Sequence, residues 1–133
     1  MKTMTLLTVV ALWWTVLDVY GNDAQGNHAV WGIGQTSCHG YNRARAASGF
    51  GEHKAYLMGY LTAYNTFTPN TYNVAGSKDL NGILAWLDEY CKKNAIDSFE
   101  RALSQMVATF HETRSATAQD QPWGKLPASN DTK

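Results

Sequence analysis

Residues 79–93 read DLNGILAWLDEYCKK. Leu80, Ile83, Leu84, Leu87, Tyr90 and Cys91 recur at intervals of three and four, which places them on one face of an α-helix. Asp79 stands where a cap accepts from free backbone amides, and Lys92 and Lys93 suit the negative end of the helix dipole. Gly82 is a local weakness of about 1 kcal/mol relative to alanine. A helix with one apolar face has to bury it against other elements, and the flanking sequence supplies more helices. The predicted fold is all-α: a compact bundle of about four helices pinned by one disulfide, with an irregular lead-in and a disordered tail.

Downstream, Asn94-Ala95-Ile96 forms a tight turn. Asp97 with Glu100 gives a capping-box pattern, and Phe99, Ala102, Leu103, Met106, Val107 and Phe110 line one face of a helix that fades near Thr113. Upstream, Thr68–Lys78 is a loop of Pro, Asn and Gly after a helix over residues 52–67. In that helix Leu57, Leu61 and Tyr64 share a face with Tyr56 and Tyr60, while Gly59 and Ala63 predict a close-packed stripe of small residues. A first helix over 38–47 is capped by Ser37 and stopped by Ser48-Gly49-Phe50-Gly51, where glycine accepts the left-handed conformation. Residues 22–36 are an irregular lead-in whose Trp31 is expected to tuck against the domain. The helical domain is expected over 37–113 and the tail, polar with Pro122 and Pro127, over 114–133.

The N-terminus points to export. Lys2 is followed by the uncharged run Thr5–Leu17, and Val19-Tyr20-Gly21 offers a cleavage site. This pattern matches a secretory leader over residues 1–21; the rival reading, an uncleaved anchor, needs a longer apolar run of roughly 20 residues. Export implies a periplasmic or secreted protein with no stable membrane insertion once the leader is gone. In an oxidising compartment Cys38 and Cys91 are most simply a disulfide. The rival readings, a metal pair or a reactive thiol, require partners at close spacing that the sequence does not offer.

Charge and motifs exclude several function classes. The 11 basic residues balance the 11 acidic ones, so no net field draws the chain to nucleic acid. No Gly-x-Ser-x-Gly elbow occurs. Histidines 28, 39, 53 and 111 share no i, i+3 or i+4 spacing, so neither a metal site nor a cofactor is expected. They are expected at the surface or at caps. Cys38-His39 are helix neighbours pointing about 100° apart, which is no catalytic dyad. Asp88-Glu89 fits a solvated helix face. No enzyme is expected.

Aromatic residues are the enriched feature. Tyr41, Tyr56, Tyr60, Tyr64, Trp86 and Tyr90 are either core or a partly exposed groove for a protein or peptide partner. Trp86, offset from the Ile83–Leu87–Tyr90 line, is the best candidate for an outward-facing ring.

The strings Ser37-Cys38-His39-Gly40-Tyr41, Met58-Gly59-Tyr60-Leu61-Thr62-Ala63-Tyr64-Asn65, Asp79–Cys91 and Ile96-Asp97-Ser98-Phe99 resemble a group of small exported two-cysteine helical proteobacterial proteins of unknown function. The resemblance spans about residues 37–107. Group members often carry proline where this chain has Ala95. The layout is also similar to HdeA-type periplasmic acid-stress chaperones, in architecture but not in motifs. It is similar as well to Rap1a/Tai-type immunity proteins, without a matching toxin-contacting segment. Small size, export, a single staple and the absence of catalytic constellations point to a non-enzymatic periplasmic binding protein. A stress-linked chaperone is the leading expectation, and an immunity or inhibitor protein holding one secreted toxin or cell-wall enzyme is the alternative. The oligomeric state stays open.

Overall fold

A computed structural model describes residues 22–118; the leader and residues 119–133 of the expected tail lie outside them. Among the described residues a short 3-10 turn, Gly32–Gln35, precedes α1 (Cys38–Ala46), α2 (Gly51–Phe67), α3 (Leu80–Lys93) and α4 (Phe99–His111). Short backbone bridges occur at Ser37–Ser98 and Asn73–Ser115. The all-α bundle is as the sequence predicts.

The helices α1, α3 and α4 start where short polar side chains satisfy their free amides, whereas α2 follows Phe50, which makes no side-chain cap bond. Ser37 Oγ accepts from the Gly40 amide at 3.2 Å, and Asp79 Oδ1 from the Gly82 amide at 2.8 Å. For α4 the cap is Ser98, whose Oγ accepts from the Arg101 amide at 3.1 Å, so the expected Asp97 capping box does not form. Asp97 turns back instead and accepts from the Tyr90 hydroxyl at 2.7 Å. At the end of α1 the left-handed residue is Ser48, at φ 61°, and not one of the adjacent glycines.

Two caps are locked together in the middle of the fold. The Cys38 amide donates to Asp97 O at 2.7 Å, the His39 amide to Ala95 O at 2.9 Å and the Phe99 amide to Thr36 O at 2.7 Å. The start of α1 is therefore pinned to the α3–α4 turn. The Cys38–Cys91 disulfide closes the same corner, with Cα atoms 4.7 Å apart across a separation of 53 residues. Asn42 Nδ2 adds a bond to Cys91 O at 3.1 Å.

The core takes Tyr41 from α1, Leu57 from α2, Leu87 from α3, and Phe99, Leu103 and Met106 from α4, all fully buried. Val74 and Ala75 also enter it, from the loop that the sequence presents as turn-rich and polar. Asn65 Oδ1 holds that loop by accepting from the Val74 amide at 2.8 Å. The loop is held from the other side too: Tyr72 and Asn73 amides donate to Ser115 O at 2.9 and 3.1 Å, and the Ser115 amide returns a bond to Asn73 O at 2.9 Å. Arg114 and Ser115 thus belong to the domain. The expected boundary at 113 moves to Ser115, because those backbone groups have ladder partners.

The helix pairs are α1 on α3, α3 on α4, α2 on α4 and, more narrowly, α1 on α4, with the 3-10 turn wedged against α2 and α4. Buried Gly34 makes that wedge possible, since a Cβ there would meet the Tyr56 ring. The expected small-residue stripe on α2 is not packed. Gly59 and Ala63 are exposed, and a Cβ on Gly59 would point into open space. The helix α2 packs against the core, α4 and the 3-10 turn, and leaves the side carrying Met58, Gly59 and Ala63 uncovered.

Candidate functional site

The six candidate aromatics do not form one groove. Tyr41 is wholly buried; its ring stacks on Phe99 at 5.0 Å between centroids. Tyr56 and Tyr60 face a cavity beside Glu100. The Tyr64 hydroxyl meets His111 Nδ1 at 3.0 Å. Trp86 stacks on Tyr90 at 5.2 Å and meets Phe110 edge-on at 5.9 Å, so it is half-buried and does not stand outward. Trp31, expected to tuck in, is exposed.

The apolar concavity lies elsewhere. Between α2 and the start of α3 runs a groove of about 400 Å³, with Met58, Leu61, Leu80 and Ile83 as its apolar walls. Thr62, Asn73, Lys78 and Asp79 make its polar rim. Met58 is 49% exposed. The Lys78 ammonium lies 4.6 Å from the centre of the Phe110 ring, a cation–π contact that holds this charge in place. The groove exists because Leu61, on the same face of α2 as Leu57, packs only at the edge of the core, while Met58, about 100° round the helix from Leu57, is left half exposed.

A second concavity, of about 460 Å³, lies across α2 from the first. Tyr56, Tyr60, Glu100 and Ser104 form its wall, and the lead-in with His28 and Val30 covers it. Glu100 is only 8% exposed. Its Oε1 accepts from the Tyr60 hydroxyl at 3.4 Å and lies 3.3 Å from His28 Nε2. Burial, then the negative charge of Glu100, raises the Tyr60 hydroxyl to about 12 and moves Tyr56 in the same direction.

Two more polar groups escape the expectations. Asp88 is not simply solvated. Its Oδ1 accepts from the Tyr41 hydroxyl at 2.7 Å and from Arg45 Nε at 2.9 Å, and its Oδ2 from Arg45 Nη2 at 2.7 Å. The Arg45 guanidinium, helped by Tyr41, holds its carboxyl below the ordinary range. His53, expected at the surface, is 4% exposed, with its ring edge-on to Tyr41 at 5.6 Å and Phe99 at 5.0 Å. Thr36 Oγ1 donates to Ile33 O at 2.7 Å and so accepts from His53 Nε2 at 3.3 Å, which assigns the proton to Nε2. His53 Nδ1 is left as a buried acceptor without a donor among the described residues. Burial lowers its pKa from the ordinary imidazole value, and the nearby Glu52 charge opposes this only in part.

Sequence carried signals for these positions. His53 lies four residues before Leu57, Asp88 four after Leu84, and Glu100 three before Leu103; each shares a face with a buried leucine. The capping-box reading absorbed Glu100, and the adjacency of Asp88 to Glu89 disguised it as surface. Among the described residues no three His, Cys, Asp or Glu side chains gather as a metal site would require. No helix among them is long and apolar enough to cross a membrane. No protein-family model, curated protein or solved structure matches the chain.

Proposed function

We propose that the chain is a non-enzymatic exported binding protein that holds one protein partner on the open face of α2. The observation that carries this reading is the apolar groove beside α2, walled by Met58, Leu61, Leu80 and Ile83 and rimmed by polar groups. A concave apolar surface with a polar rim is how a protein anchors an apolar side chain of a partner. The exposed ridge of Gly59 and Ala63 beside it lets a partner approach α2 closely. The disulfide fits an oxidising compartment. Together these favour an immunity or inhibitor type of role, in which a rigid surface occupies a single enzyme.

The test is a tagged protein expressed in its own cells, with and without Met58→Glu. Met58 is half exposed, so the substitution leaves the fold intact while placing a charge in the groove. The expected result is one enzyme recovered in equal amount with the wild type and lost with the variant, at unchanged melting temperature. Recovery of the same partner by both proteins removes the groove from the interface.

A second reading, a stress-linked acid chaperone, is favoured by His53, whose buried ring resists the charge that acid imposes. Protonation would push the Tyr41–His53–Phe99 cluster apart while the disulfide keeps the chain compact. Light scattering of an aggregating client at low pH distinguishes the two. Suppression by the oxidised protein supports the chaperone, and its absence leaves the single-partner reading.

A further inference from the structure

The cavity on the other side of α2 has a different chemistry from the groove. Glu100 sits in the first turn of α4, at the positive end of the helix dipole. It is buried, yet no lysine or arginine among the described residues pairs with it; its charged-group neighbour is His28. Both His28 and Tyr60 contact the same oxygen, Oε1. Oε2 accepts no hydrogen bond among the described residues and is not fully enclosed, since His53 Nδ1 is the sole enclosed polar side-chain atom among them without a partner, and Glu100 lines the cavity. A buried carboxylate normally has its charge balanced. An imidazole balances it only when protonated, whereas a guanidinium or ammonium does so at any pH where the carboxylate is ionised. Tyr56 and Tyr60 line the same cavity beside Glu100, and tyrosine rings are groups that cations favour.

We infer that this cavity is a receptor for one cationic side chain, the guanidinium or ammonium of an arginine or lysine on a protein partner, with Glu100 as its counter-ion and Tyr56 and Tyr60 as its walls. This rests on the reading of the chain as a protein-binding domain and names a second anchor for it. One carboxylate matches one positive charge, so a side chain carrying a single charge suits the site better than a free polyamine. His28, 48% exposed at its side chain and carried on the lead-in, occupies Glu100 in the unbound protein and moves aside when the partner's cation enters. A partner engaging both concavities straddles α2, with an apolar side chain on one side and a basic one on the other.

The site is tested without any partner, by titrating N-acetyl-arginine-N-methylamide into the protein with its disulfide intact and following backbone amide NMR shifts. Saturable shifts are expected at Tyr56, Tyr60, Glu100 and Ser104, and none with the citrulline analogue, which has the same shape and no charge. Glu100→Gln should weaken binding by about tenfold or more, and His28→Ala should leave it equal or tighter. Ser104→Leu, which fills the cavity but keeps the carboxylate, should also abolish binding and guards against a folding defect in Glu100→Gln. Equal binding of the citrulline analogue, no saturable shifts at all, or loss of binding in His28→Ala overturns the inference. Tighter binding of spermidine than of the arginine probe reassigns the site to a free polyamine and overturns the partner assignment. Failure here leaves the Met58 result standing, and failure of the Met58 test leaves this one standing, because the two concavities share no wall residue.

Discussion

Tyr41 joins the core to the surface within one side chain. Its ring is fully buried and its hydroxyl donates to Asp88, which Arg45 grips from outside. The ion pair itself is worth little, because its side chains are 33% and 40% exposed and solvent screens such pairs to within about 1 kcal/mol. The hydroxyl bond is less exposed and has a charged acceptor. Tyr41→Phe should therefore cost about 1–2 kcal/mol, read as a lower urea midpoint at an unchanged slope. His53 makes a separate prediction. Folded His53 binds its proton less readily than the unfolded chain does, so stability falls as pH drops from the ordinary imidazole value of 6.5 toward the folded value. Asp88 acts lower: its contribution is full above the ordinary carboxyl value of 3.8 and is lost as pH falls through the depressed folded one. His53→Phe should flatten the urea midpoint between about pH 7 and pH 5, while Asp88→Asn should flatten only the decline below about pH 4. Equal slopes in His53→Phe and wild type across the upper range would show that His53 does not set acid sensitivity there.

The helices differ in how well their sequence announced them. Both α3 and α4 each turn one side to the core, so their apolar residues fall on a single stripe and their extent is legible from spacing alone. Caps are harder: Ser98 and Asp97 are adjacent and both able to cap, and the Asp97 carboxylate is engaged instead by the Tyr90 hydroxyl and by Arg101. On α2 the apolar residues serve two purposes. Leu57 enters the core, Leu61 on the same stripe both touches the core and lines the groove, and Met58 lies off the stripe and walls the groove, so one stripe does not describe it. The aromatic residues could not be sorted for the same reason: Tyr41, Tyr64 and Trp86 sit on three helices whose mutual rotation no local spacing encodes. The loop after α2 hides core residues because Val74 is held by a side chain, Asn65, and not by helical periodicity. The contact of the 3-10 turn with α2 is a tight constraint on side-chain size. Gly34→Ala forces the Tyr56 ring to move and should cost about 1–3 kcal/mol. Tyrosine fluorescence and a thermal melt would register both effects; an unchanged melting temperature would mean the turn yields easily.

As a whole molecule, the bundle is small and depends on its one staple. The disulfide closes a separation of 53 residues, and a loop of that size constrains the unfolded chain by roughly 4 kcal/mol, much of what a domain this small commands. The Cys38→Ser/Cys91→Ser double variant should lose about that much in urea denaturation. Retention of nearly full stability would mean that the backbone lock between the starts of α1 and α4 suffices. The cysteine pairing was legible because two cysteines allow one intramolecular bond. The proposed binding face was not, since it consists of surface that other elements fail to cover. Site-directed photo-crosslinking in living cells tests that proposed face most directly. A photo-reactive residue placed at Met58, at Ala63 and, as a control, at Arg43 on α1 should give one discrete protein adduct from the two α2 positions and none from Arg43. Adducts of equal yield from all three positions, or from Arg43 alone, would contradict the assignment of α2 as the binding face.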